Sequence, residues 1–204
     1  MNILEYKQNY WKQYSLLEKE FDETSQYVTL DNDNLATFSP FYLKLILGIG
    51  SEIDNVLKEA CGLTGRADMA DYAASILSKY PSITTQSVTV ENSNITITPF
   101  SGWNISQPSQ SLEFWKKYNE IKHDRIANYK KASLDTVITA LAGLYIILIY
   151  RSNELYMSDP EAFSNLPVES SYFILDNWER RFRTDKVKSE YPIFDDSDGG
   201  KRVV

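Results

Sequence analysis

The chain has 204 residues, 43% of them hydrophobic and 24% charged, a balance that excludes a largely disordered protein and predicts one globular domain over residues 1–204. Its net charge of −7 argues against non-specific binding of long nucleic acid by the whole surface, and it leaves room for a local basic site. A single cysteine and a single histidine exclude an internal disulfide and a metal site built from these two residue types, and we expect no cofactor.

Three elements are predicted in the first third of the chain. Apolar side chains recur at steps of three and four residues over 3–21 and predict a first helix. Two short β-favouring runs around an Asx-rich turn predict a β-hairpin over about 27–38. Ser39 followed by Pro40 predicts a helix start, because serine caps a helix and proline fits its first position. We expect this helix to end near Cys61, where a glycine follows.

Four elements are predicted in the middle of the chain. A helix over about 67–80 ends before a proline, and a second β-hairpin follows over about 86–98, where apolar and polar residues alternate. Two further helices are predicted over about 111–129 and 133–156. The last of them is apolar nearly all round, which indicates the centre of a helical bundle.

The predicted fold is therefore mainly α. We expect an up-and-down bundle of about five helices over residues 1–158, with the two short β-hairpins as additions. Residues 159–204 are predicted to be an irregular C-terminal extension, with one short helix between 171 and 183.

The chain shows no pattern that predicts membrane insertion or secretion. Its most apolar stretch, residues 134–150, is short for a membrane span and contains polar residues, so a buried central helix is expected. The first residues lack a charged region followed by an apolar run, which is the pattern of a secretory signal. We therefore expect a cytoplasmic protein without membrane contact.

One polar strip on the predicted helix over 111–129 carries the only histidine, His123. At about 100° per residue, the strip points away from the aromatic residues that should face the core. Lys116 and Asn119 lie within about 60° of His123 on the helical wheel. The strip is therefore polar and partly basic, with an imidazole in its middle.

Such a strip has the groups that RNA cleavage through the 2′-hydroxyl requires. His123 can transfer protons near neutral pH, and Lys116 can bind a phosphate or stabilise developing negative charge. Asn119 can hydrogen-bond the imidazole or a ribose hydroxyl. No metal ion is needed for this chemistry. The same residues also fit an ordinary solvated helix face, on which charged side chains have no functional role.

A family resemblance favours the first interpretation. Residues 115–125 read Trp-x-x-Tyr-Asn-x-x-Lys-His-Asp-Arg and precede a very apolar helix, an order that resembles members of the HEPN superfamily. The earlier stretch Leu-Gly-Ile-Gly-Ser-Glu-Ile-Asp over 47–54 is similar to the glutamate-bearing helix of some HEPN-like proteins. The resemblance covers roughly residues 39–156. It implies an all-α bundle that is often dimeric and that often acts as a metal-independent ribonuclease in toxin–antitoxin or phage-defence systems.

The resemblance also implies site residues. Members of the superfamily carry an arginine, roughly four to six intervening residues and then a histidine, and His123 matches that histidine. The arginine position falls at Lys117, which keeps the charge but lacks the planar fork of a guanidinium. On the helical wheel Lys117 lies about 120° from His123, whereas Lys116 and Asn119 align better. The predicted catalytic residues are thus His123, Asn119, Lys116 and Lys117.

Two functions remain open from the sequence. The first is a HEPN-like endoribonuclease or RNA-binding protein, expected to form a homodimer that brings two His123 strips together. The second is a non-catalytic interaction or regulatory protein, similar to an antitoxin, whose acidic charge suits a basic protein partner. A small-molecule enzyme is not indicated, because the sequence has no glycine-rich phosphate loop and no nucleophile elbow.

Overall fold

Helices make up most of the protein, and one small antiparallel sheet accompanies them. The computed structural model describes residues 1–162 and 165–176, together with the backbone of residues 181–182 and 190–191. The mainly α prediction is therefore confirmed. The helices are α1 (Ile3–Tyr6), a π-helical turn (Lys7–Trp11), α2 (Lys12–Ser25), α3 (Pro40–Ala60), α4 (Met69–Lys79), α5 (Glu113–His123) and α6 (Leu134–Ser158).

The helix starts are fixed by local hydrogen bonds that the sequence encodes. The Ser39 side chain accepts a hydrogen bond from the Tyr42 N–H, and Pro40 occupies the first helical position of α3, as predicted. Ser133 caps α6 in the same way, and Asp68 caps α4. α3 stops before Gly62, whose φ of 64° is the left-handed conformation that glycine adopts readily.

The β-hairpin predicted over 27–38 is wrong. Residues 32–34 form a 3-10 turn, in which the Asp31 side chain accepts a hydrogen bond from the Asp33 N–H. The following residues pair with the start of α6, where the Thr37 carbonyl oxygen accepts from the Leu134 N–H at 2.8 Å. The Asx-rich sequence forms its own local turn, and the backbone groups beyond it bind the distant α6.

The hairpin predicted over 86–98 is confirmed, and it is part of a larger sheet. β1 (Val88–Val90) pairs antiparallel with β2 (Thr96–Ile97) on one side and with β3 (Phe173–Leu175) on the other. The C-terminal extension is thus not wholly irregular. The short helix predicted between 171 and 183 is wrong for residues 173–175, which form strand β3. β3 satisfies the backbone groups along the second edge of β1, which the two-stranded hairpin alone would leave unpaired. Two further short strands, β4 (Arg181–Phe182) and β5 (Glu190–Tyr191), pair with each other.

Side-chain hydrogen bonds hold the segment 165–176 against the rest of the protein. The Ser170 hydroxyl donates to the buried Glu18 carboxylate of α2, and the Tyr172 hydroxyl donates to Asp22 one turn further along. The Ser87 hydroxyl donates to Asp176 at the other end of the segment. Residues more than 80 positions apart therefore form one side of the protein.

The core centres on α3 and α6. α6 is the one helix, among the described residues, that is long and apolar enough to cross a membrane, but 83% of its apolar window is buried inside the protein. Such burial is what the central helix of a soluble protein shows. α6 therefore supplies the core on which the other helices pack.

Two glycines, one on α3 and one on α6, let aromatic rings of α5 pack closely against these core helices. A Cβ atom added at Gly50 of α3 would lie 2.4 Å from the Tyr118 ring, and one added at Gly143 of α6 would lie 3.2 Å from the Phe114 ring. The rings of α5 therefore pack against helix backbone, which fixes the face that α5 turns to solvent. The helix predicted over 111–129 is too long at its C-terminal end, because α5 ends at His123.

Candidate functional site

His123 is the last residue of α5, and its side chain is exposed at an open depression of about 500 Å³. Lys116 and Asn119, which lie on the two preceding turns of the helix, line the same depression. The structure therefore brings together three of the four predicted site residues. The other residues that line the depression are also polar: Ser109, Gln110, Glu120, Asp124 and Asn128.

A set of hydrogen bonds fixes the chain around His123. The Asn128 amide donates to the carbonyl oxygens of Glu120 at 3.1 Å and of Asp124 at 2.9 Å. The Asp124 carboxylate in turn accepts a hydrogen bond from the Ala127 N–H. These bonds close the end of α5 and fold the next residues back against it, so His123 projects from a rigid base. The predicted longer helix missed this arrangement, although Asp124 and Asn128 are residue types that favour turns.

The three groups in the depression are free to bind a ligand. Within the described part of the chain, neither the His123 ring nor the Asn119 amide makes a side-chain hydrogen bond. The Lys116 ammonium forms one long ion pair, with the exposed Glu113 carboxylate at 4.0 Å, and is itself partly exposed. An imidazole and an amide without side-chain hydrogen bonds thus face the same open space as an ammonium whose ion pair is long.

Lys117 lies outside this group. Its ammonium is 3.1 Å from the Asp135 carboxylate at the start of α6 and does not line the depression. The rotation of Lys117 away from His123, which the helical wheel indicates, is what the structure shows. The Lys117 ammonium lies on the side of α5 that meets the start of α6, whereas the Lys116 ammonium lies on the side that carries His123.

The residues around the depression are the most basic part of the described chain. Residues 116–131 hold six of the 21 basic residues but only two of the 28 acidic residues. Glu120, one of those two, is paired with the Lys131 ammonium at 2.7 Å. A further basic stretch, residues 180–188, lies outside the residues whose side chains are described. The segment that carries the only histidine is therefore basic within an acidic chain, while the depression itself is lined by Lys116 together with the Glu120 and Asp124 carboxylates. The basic residues of 116–131 are Lys116, Lys117, Lys122, Arg125, Lys130 and Lys131.

A larger groove, of about 810 Å³, has the opposite charge. Four carboxylates from α2, the turn after β1 and the C-terminal segment line it, with one lysine. Glu18 is the most buried of them and accepts hydrogen bonds from the Tyr14 and Ser170 hydroxyls. Sequence patterns could not reveal this groove, since its walls are about 150 residues apart in the chain. The four carboxylates are those of Glu18, Asp22, Glu91 and Glu169.

A second polar cluster lies between α3, α4 and α6, and we call it the Arg151 cluster. The Arg151 guanidinium binds Glu59 through two hydrogen bonds of 2.6 and 2.7 Å and binds Glu154 at 2.8 Å. Glu154 also accepts from the Tyr80 hydroxyl and pairs with Lys79. Burial raises the pKa of Glu154, but the hydrogen bonds from Lys79 and Tyr80 and the charge of Arg151 outweigh it, so the pKa lies below its usual value.

Two further features bear on reactive chemistry. Burial raises the pKa of the Cys61 thiol, so this residue is a protonated thiol at neutral pH. No group of three histidine, cysteine, aspartate or glutamate residues close enough to hold a metal ion occurs within the described ranges.

Comparison of the chain with protein-family models, with curated proteins and with solved structures found no match.

Proposed function

We propose that this protein is a HEPN-like, metal-independent endoribonuclease that binds RNA on its basic segment 116–131 and cleaves it at His123. The observation that carries the proposal is the open depression in which Lys116, Asn119 and His123 lie together, with Lys116 held only by a long ion pair to Glu113. The position of the depression within the basic segment of an acidic chain adds to it. The resemblance of residues 115–125 to HEPN proteins supplies the reaction class.

Binding begins with the phosphate backbone. Lys116 offers a point charge inside the depression, and Lys122 and Arg125 are exposed beside it. The rest of the chain has a net excess of acidic residues, which repels a polyanion, so among the described residues the basic segment is the part that we expect an RNA strand to approach. This arrangement gives binding that weakens as salt increases.

The cleavage step is an attack of the RNA on itself. The ribose 2′-hydroxyl loses its proton to a base, its oxygen forms a bond to the adjacent phosphorus, and the bond from phosphorus to the 5′-oxygen breaks. The departing 5′-oxygen takes a proton from an acid, which leaves a 2′,3′-cyclic phosphate and a 5′-hydroxyl. His123 is one of the two proton carriers, and Lys116 stabilises the charge that develops on the phosphoryl oxygens. Asn119 orients the ribose or the imidazole.

The second proton carrier comes from a second copy of the chain. A homodimer with two facing depressions supplies one imidazole as base and the other as acid. The proposal extends to a cytoplasmic protein of a toxin–antitoxin or phage-defence system, which is the setting that the HEPN resemblance implies.

A non-catalytic interaction protein is the second candidate, and the acidic groove favours it. Glu91 and Glu169 face this groove of about 810 Å³ together with the two carboxylates of α2. A lysine- or arginine-rich segment of a partner protein has the charge that fits there. In this alternative the basic segment and His123 are an ordinary solvated helix end.

The test is cleavage of a mixed panel of 5′-fluorescent RNAs in EDTA, followed on denaturing gels. We expect the wild-type protein to produce fragments that end in a 2′,3′-cyclic phosphate. We expect His123→Ala to slow cleavage at least about 100-fold, because a general acid–base group contributes about 100-fold to 10,000-fold. Lys117→Ala is the matched control on the same helix, and we expect it to cleave at close to the wild-type rate.

Thermal unfolding of each variant separates loss of chemistry from loss of folding. His123 is exposed, so its alanine variant should unfold at the wild-type temperature. An intact RNA panel with the wild-type protein, or equal cleavage by the His123→Ala variant, would overturn the nuclease proposal. Intact RNA combined with tight binding of a basic peptide in the acidic groove would support the second candidate instead.

A further inference from the structure

A partly exposed aromatic pair joins Phe38 to Tyr129 of the basic segment. The Phe38 and Tyr129 rings meet edge to face, with centroids 5.8 Å apart and an angle of 86° between their planes. Phe38 is 42% exposed, although a phenylalanine in a protein of this size is usually buried. Phe38 is therefore not part of the core, and its exposure needs another explanation.

The pair is held on rigid backbone from two parts of the chain. Phe38 forms a β-bridge with Ser133, the cap of α6, and the Thr37 carbonyl oxygen accepts a hydrogen bond from the Leu134 N–H. Tyr129 opens a short 3-10 turn, Tyr129–Lys131, which is tied to α5 by the ion pair from Lys131 to Glu120. The rings are therefore fixed before any ligand arrives, which lowers the entropic cost of binding.

In the chain, Tyr129 is adjacent to a residue of the His123 depression and to a lysine. Tyr129 directly follows Asn128, whose side chain lines the depression, and Lys130 follows Tyr129. Aromatic rings interleaved with basic side chains are the combination that binds unpaired nucleotides, since the bases stack on the rings while the cations bind the phosphates.

We propose that the Phe38–Tyr129 pair is a stacking surface for one unpaired base of the RNA strand whose phosphate lies at His123. This inference rests on the proposed function, and it adds the residues that distinguish an unpaired strand from a duplex. A base within a duplex has both faces stacked on its neighbours and cannot bind the rings. The charges of the basic segment, by contrast, attract either form of RNA.

Another exposed aromatic residue provides a matched control. Tyr27 is 86% exposed at the end of α2, and Glu23 lies beside it in the same surface cavity. The side chains that line this cavity include one carboxylate and no lysine or arginine, so we expect Tyr27 to bind no RNA. Replacing it removes the same kind of side chain from an acidic part of the surface.

The experiment measures binding of a 12-nucleotide 2′-O-methyl oligouridine by fluorescence anisotropy. Its capped 2′-oxygens cannot attack phosphorus, so binding is measured without cleavage. We expect Phe38→Leu and Tyr129→Leu each to weaken binding about fivefold to 100-fold, because stacking of one base on an aromatic ring has that effect. Leucine keeps most of the apolar volume, so the fold should be retained.

Two comparisons complete the test. Binding of a 2′-O-methyl duplex should be unchanged by Phe38→Leu, and the slope of affinity against salt should stay the same, because no charge is removed. Tyr27→Leu should bind like the wild-type protein. Wild-type binding that neither leucine variant weakens would overturn the stacking surface and leave the proposed function standing. A wild-type protein that binds no oligonucleotide would overturn both.

Discussion

The Arg151 cluster and the His123 depression are both charged, yet they differ in how their polar groups are satisfied. In the Arg151 cluster, two cations and two carboxylates from three helices bind one another, and the guanidinium side chain is only 14% exposed. In the depression, the His123 ring and the Asn119 amide face solvent without partners in the described part of the chain. A cluster that holds helices together pairs its groups internally, whereas a binding site leaves them available.

The physical reason for this difference is the cost of burial. A charge removed from water must find partners with good geometry, or it destabilises the fold by several kcal/mol. The bidentate contact between Arg151 and Glu59 meets this requirement. His123 and Lys116 remain hydrated and incur no such cost, so selection for folding alone does not require partners for them.

The largest effect on stability should follow from breaking the Arg151 cluster. We expect Arg151→Met to lower the free energy of unfolding by about 3 kcal/mol, because it leaves the half-buried Glu59 without the cation that it binds and leaves Glu154 with Lys79 alone. Urea unfolding followed by circular dichroism measures this change. RNA binding per folded molecule should stay at the wild-type level. A variant as stable as the wild-type protein would show that the cluster does not hold the helices together.

A smaller effect concerns the dependence of stability on pH. Glu154 has a folded-state pKa below its usual value of 4.5, so its contribution to stability is present above that value. The contribution is lost as the pH falls through the folded-state pKa. We therefore expect the wild-type protein to lose more stability than Glu154→Gln between about pH 5 and pH 3. Urea unfolding at a series of pH values measures the difference.

Glu52 provides a control with the opposite sign. Burial raises its pKa, so its ionisation opposes folding and its protonation at low pH favours folding. Glu52→Gln should therefore lose more stability than the wild-type protein as the pH falls. Identical pH profiles for the wild-type protein and both variants would contradict the assigned roles of Glu154 and Glu52.

The smallest effect should separate the two neighbouring lysines of α5. Lys117→Ala removes the ion pair with Asp135, which is partly exposed, and should lower the free energy of unfolding by about 0.5 kcal/mol. Lys116→Ala should leave stability unchanged and should reduce the slope of RNA affinity against salt by about one. The reverse result would mean that Lys117 contacts the RNA and that Lys116 has only a structural role.

Local signals predicted the helix starts well and the first hairpin badly. Ser39-Pro40 fixes the start of α3 because a cap needs only a side chain and the next few N–H groups. The turn at 31–34 looks equally local, but the residues after it pair with α6 about 100 positions later. β3 was likewise missed, because its partner β1 lies about 85 residues before it.

The candidate site divides in the same way. The spacing of Lys116, Asn119 and His123 on one helix face follows from the helical repeat, so the sequence alone could group them. The helical repeat also predicted that Lys117 points away from these three residues. That Asn128 closes the helix end at His123, and that Phe38 lies beside Tyr129, required the folded chain.

The sequence by itself determined the mainly helical character, the capped helix starts and the alignment of three polar side chains with the only histidine. These features depend on hydrogen bonds and side-chain directions within a few residues of one another. Only the tertiary structure decided which polar groups are paired and which are free, because Arg151 finds Glu59, and Ser170 finds Glu18, across distances of 92 and 152 residues. Such partners meet only after the helices pack, so the difference between a structural cluster and an open site arises at that level.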